Sequence, residues 1–131
     1  MRSRGQALVE LALTLPVLVF LALGGAEFVR IAVTRAGLDA ATAAAAAAAA
    51  RASSRTAAET EASTAFDGIA TGYGVAAPML SLDLGDFERG GKLTATGEAT
   101  LNLGFDGTLT MRVLSVTTAR IEDWRSRAPT P

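Results

Sequence analysis

Sixteen consecutive residues, Leu11 to Ala26 (LALTLPVLVFLALGGA), carry no charge. Extended back to Gln6, the stretch covers 21 residues with Glu10 as its one ionisable side chain. As a helix at about 1.5 Å per residue it spans roughly 31 Å, near the hydrocarbon thickness of a bilayer. A run of this length and purity leaves two fates. One is a retained membrane helix. The other is a cleaved secretory signal, with a basic start at Arg2 and Arg4 and a small-residue exit around Gly24, Gly25 and Ala26. Arg30 and Arg35 follow closely, so the balance of basic residues leaves the orientation open.

The rest of the chain is small: 131 residues in all and 13.4 kDa, enough for one compact domain. There is no cysteine and no histidine. Disulfide frameworks, thiol catalysis, histidine-based triads and most zinc chemistry are therefore excluded. A net charge of −1 and a pI near 5.4 argue against a nucleic-acid partner. No catalytic residue, metal site or cofactor is expected, and the chain reads as a non-enzyme.

Alanine fills 28 positions, 16 of them between Ala36 and Phe66. Alanine is the best helix former and no proline interrupts this segment. One long helix is expected from Gln6 to about Phe66, bent at Pro16 or Gly24-Gly25. Gly37 is its local weak point, and Arg55 with Glu59 is an i, i+4 pair that supports it. Gly68 to Pro78 is glycine-rich and reads as a loop.

Beyond it the pattern becomes one of strands. Leu80, Leu82 and Leu84 alternate with polar residues. From Lys92 to Leu103 the alternation is complete, with Leu93, Ala95, Gly97, Ala99, Leu101 and Leu103 on one face. Asp106-Gly107 signals a hairpin. A three-residue loop of Phe105, Asp106 and Gly107 sets Leu103 opposite Leu109, Leu101 opposite Met111 and Ala99 opposite Val113. It puts Gly107 in the left-handed position. After Val113 the apolar parity slips to Leu114 and Val116, so a bulge or burial of both faces is expected there. The fold class is α+β: a long N-terminal helix, membrane-spanning in its first half, packed on a small three-stranded antiparallel sheet.

Chemistry concentrates at the start of the chain. A basic leader ends in Gly5, and Glu10 follows five residues later. A carboxylate at the edge of a membrane segment is costly and needs a reason. A cut after Gly5 gives Gln6 a free amine one helical turn from Glu10. That pair attracts within one subunit, and between staggered subunits it fixes axial register.

RGQALVE followed by LALTLPVLVFLALGGAEFVR resembles the N-terminus of TadE-like proteins, minor pseudopilins of tight-adherence (Flp) type IVb pilus systems. The glycine, the glutamate, the proline inside the helix and Glu27-Phe28 at its exit carry the likeness. LDAATAAAAAAAARA resembles the family's alanine-rich continuation, and LSVTTARIE its last strand. The resemblance implies a pilin-like fold and a leader of residues 1–5 removed by a prepilin peptidase, with Gly5 and Gln6 flanking the cut and Glu10 serving assembly. After the leader, the sequence itself divides into a transmembrane helix over 6–29, an alanine-rich continuation over 30–66, a loop over 67–78, a meander over 79–123 and a polar tail over 124–131. Membrane, peptidase, other pilin subunits and pilus machinery are the implied partners. The implied location is the bacterial cytoplasmic membrane, single-pass with the C-terminal domain outside, and incorporation into a pilus. Two departures stand out: the leader is short, and Gln6 replaces the aromatic start of other type IV pilins, which argues against N-methylation there.

The rival reading is a secreted β-rich binding or adhesion module, cleaved near Ala26. Other signals are weaker. Asp83, Asp86 and Glu88 form an acidic cluster whose spacing does not fit the helix-loop-helix calcium motif. Gly90-Gly91-Lys92 lacks the first glycine of a phosphate loop, and Gly68, Gly72 and Gly74 do not follow a strand. Tyr73 and Trp124 are candidate contact residues, Trp124 more as a cap on the core. Glu27 and Arg30 mark the water interface.

Overall fold

The computed structural model describes residues 2–104 and 107–122, and side chains from Gly5 onward. The elements are α1 (Arg2–Arg51), α2 (Arg55–Gly72), β1 (Met79–Asp83), β2 (Lys92–Leu103) and β3 (Leu109–Arg120). The class is α+β, as expected. The chain divides into two compact units, Met1–Ala32 and Val33–Pro131.

The first unit is helix alone. Pro16 lies inside α1 without ending it. Proline removes one backbone donor, yet the helix assignment also continues through Gly24 and Gly25.

The second unit contains the core. Thr34, Leu38, Ala41, Ala45 and Ala48 are buried at helical spacing along the rest of α1. Ala58, Ala62, Phe66 and Ala70 do the same along α2. The sheet has the order β1-β2-β3, antiparallel throughout. Leu93, Ala95, Gly97, Ala99 and Leu101 of β2 are buried and the alternate residues are not, so one face is covered. Of the twenty buried apolar residues described, twelve are alanine. The core is therefore thin, and backbones come close together. At Gly97 a β-carbon would collide with the Thr42 hydroxyl and lie 3.1 Å from both Leu38 Cδ1 and Phe66 Cε2. At Gly37 it would lie 2.5 Å from the Tyr73 β-carbon. Gly37 is thus the seat of Tyr73 rather than a flaw in the helix.

Several expectations need correction. The long helix does not run unbroken to Phe66. It stops at Arg51, and α2 starts afresh after Ser54, whose side chain accepts from the Ala57 N–H at 3.1 Å. The helix then continues to Gly72, so the glycine-rich loop begins only at Tyr73. The end of α1 is closed from far away: the Glu122 N–H donates to the Ala50 carbonyl at 3.2 Å. That carbonyl is one the helix itself leaves without a donor. Arg55 does not pair with Glu59; it donates instead to the Gly85 carbonyl, tying α2 to the β1–β2 turn.

The hairpin register is the one the three-residue loop requires, with Leu103 facing Leu109, Leu101 facing Met111 and Ala99 facing Val113. Gly107 has φ +65; Phe105 and Asp106 lie outside the described residues. The slip at Leu114 has neither explanation offered for it. Pairing is unbroken from Leu103↔Leu109 to Lys92↔Arg120, so there is no bulge. Leu114 and Val116 are 52% and 63% exposed, so both faces are not buried. They are apolar residues on the open face, beside the Glu98–Arg112 ion pair at 2.8 Å. Trp124 and the tail over 124–131 also lie outside the described residues.

Candidate functional site: the N-terminal segment

Gly5, Gln6 and Glu10 all belong to α1. Gln6 and Glu10 are four residues apart, which places them on the same helical face about one turn apart. Both are exposed. A β-carbon at Gly5 would meet nothing within 4 Å, so no neighbour among the described residues demands a glycine there. This distinguishes Gly5 from Gly37 and Gly97, whose bareness the packing explains.

Around these residues the helix is apolar on every side. Val17, Leu18, Val19, Phe20 and Leu21 are consecutive, cover more than a full turn, and are all exposed, Phe20 at 75%. A helix that buried one face in a soluble core would show one covered stripe. This one shows none, and it is long and apolar enough to be a candidate membrane span. Its polar atoms are handled inside the helix. The Thr14 hydroxyl donates to the Glu10 carbonyl at 2.7 Å, which removes a bare hydroxyl from the apolar stretch. Arg30 reaches both carboxylate oxygens of Glu27 at 3.1 Å, and Arg35 lies 4.0 Å from Asp39. The first charges after the apolar run are therefore paired within the helix.

The other sequence candidates belong to the second unit. Asp83 accepts from the Gly85 N–H at 3.1 Å and so shapes a turn. No group of three acidic side chains that could hold a metal ion occurs among the described residues. Tyr73 is half exposed and lies against Gly37.

Residues 5–55 match the family model described as TadE-like protein. The match bears out the resemblance read from the sequence over that stretch, fewer than half of the chain's residues, and covers the three candidate residues. No curated protein and no solved structure matches the chain.

Proposed function

We propose that the chain is a minor pilin or pseudopilin, a structural subunit of a tight-adherence pilus or secretion pseudopilus. The first half of α1 holds it in the cytoplasmic membrane with the sheet unit outside. A prepilin peptidase cuts between Gly5 and Gln6. The new Gln6 amine and the Glu10 carboxylate then act as an assembly latch, and subunits join the machinery through their N-terminal helices. Its work is to be cut, held and stacked, not to catalyse.

The observation that carries this reading is the apolar helix exposed on all sides, with Glu10 near its start and the family match lying over it. A carboxylate placed there is expensive unless it meets a cation, and the cut supplies one at the right spacing. The mature N-terminus tests the reading. Protein recovered from host membranes is expected to begin at Gln6. A terminus near Glu27, left by a signal peptidase, would refute it and favour the secreted module.

A further inference from the structure

A second consequence follows from the identity of residue 6 and rests on the proposed cut between Gly5 and Gln6. While the leader is attached, the Gln6 nitrogen is a helical backbone amide and no nucleophile. Removing the leader turns it into a primary amine at the positive end of the helix dipole. Glu10 is the one carboxylate before Glu27 that can pair with it. The Gln6 side chain is exposed and has no hydrogen bond among the described residues. No partner among the described residues holds its carboxamide away from its own amine.

We propose that Gln6 is a modification site, cyclising in the mature chain to pyroglutamate. The amine nitrogen bonds to the side-chain carbonyl carbon, and the bond from that carbon to the amide nitrogen breaks. The released nitrogen takes the proton shed by the amine and leaves as ammonia. One carbon–nitrogen bond replaces another, so no oxidant or reductant enters. The product is a neutral lactam whose ring ties the nitrogen to the side chain as proline's does, a geometry suited to the first helical position. It keeps one N–H to offer Glu10. Cyclisation thus converts the latch from an ion pair into a neutral-donor hydrogen bond. A subunit whose amine is engaged by a Glu10 carboxylate early is spared; an idle subunit cyclises and loses the charge.

The test is the N-terminal tryptic peptide, ending at Arg30, from acid-quenched full-length protein of host membranes. The expected peptide runs from Gln6 to Arg30, is lighter by one ammonia, resists stepwise N-terminal degradation, and is opened by pyroglutamyl peptidase to expose Ala7. A full-mass peptide with a free Gln6 amine overturns cyclisation and leaves the cut standing. A peptide beginning elsewhere overturns both. Gln6→Ala is expected to give an unblocked terminus; a blocked one overturns the proposal, because the block then needs no glutamine side chain. Glu10→Gln is expected to raise the cyclised share, and an unchanged share overturns the protection assigned to Glu10.

Discussion

Gly97→Ala probes the closest approach of helix to sheet. The added methyl meets three neighbours at once: Thr42 Oγ1, Leu38 Cδ1 and Phe66 Cε2. Leu38 and Phe66 are fully buried and closely packed, and overpacking of that kind costs about 1–3 kcal/mol. Thr42 is worse placed to yield. It is 0% exposed and its hydroxyl donates to the Leu38 carbonyl at 2.7 Å. Rotating it away leaves a buried hydroxyl unpaired, a further cost of about 1–3 kcal/mol. Against these stands a gain of about 0.5–1 kcal/mol for replacing a strand glycine by alanine. The net is a destabilisation of about 2–4 kcal/mol, which for a domain of this size lowers the melting midpoint by at least ~8 °C. Thermal unfolding of the full chain in detergent micelles, followed by circular dichroism, reads it. Adding Thr42→Ala removes the first obstacle, and the double mutant should regain much of the loss; the cycle isolates the coupling. A shift below about 2 °C for Gly97→Ala alone would refute the packing argument.

Other expectations are simpler. Ser54→Ala removes the cap that starts α2 and should cost about 1 kcal/mol, seen as faster amide exchange at Ala57 and a lower midpoint. Leu114→Thr with Val116→Thr should leave unfolding within about 0.5 kcal/mol per site, because both side chains face outward; a large loss would mean that the open face is covered. Glu10→Ala should leave the membrane fraction of the protein unchanged and reduce its incorporation into pili. Unchanged incorporation would remove the latch.

How far the sequence could be read depended on how far apart the interacting residues lie. The β2–β3 hairpin was legible to the residue, because alternation from Lys92 to Leu103 and the Asp106-Gly107 turn are local and strongly constrain the register. The break between α1 and α2 was not. Between Arg51 and Arg55 the local signal is the Ser53-Ser54 pair, a favoured cap type that the alanine-rich flanks outweighed. The reasons are a serine cap and a donor from Glu122, seventy-two residues after Ala50 in sequence. Gly37 was misread for the same reason, since its purpose is Tyr73, brought to it only by the fold. Leu114 and Val116 misled in the opposite direction: apolar identity suggested burial where the unbroken register turns them outward. At the candidate site only the spacing of its residues was there to be read. Gly5, Gln6 and Glu10 lie within six residues of one helix, and helical spacing alone relates them. The structure adds the open space at Gly5 and the Thr14 hydrogen bond.

The size of the side chains along α1 follows from what each stretch must contact. From Leu8 to Leu21 the large exposed apolar residues are Leu, Val and Phe, bulky groups that gain most from an apolar solvent on all sides and need no partner of matching shape. From Ala41 to Ala50 the buried residues are Ala, with Thr42 among them. Each alanine contributes little apolar area, and where the helix meets the sheet, Leu38 and Thr42 reach Gly97, a position with no side chain of its own. The same smallness leaves no slack, because a single methyl at Gly97 has nowhere to go. Sequence hydrophobicity treats the two stretches alike, whereas their volumes separate a segment suited to lipid from one suited to close packing. Enlarging one of the buried alanines is therefore a different experiment from enlarging Ala12 or Ala22, which stand exposed. Ala45→Leu should cost about 1–3 kcal/mol in the sheet unit, while Ala12→Leu should leave its unfolding unchanged and strengthen retention in membranes; equal loss of sheet stability from both would show that the division of labour along α1 is wrong.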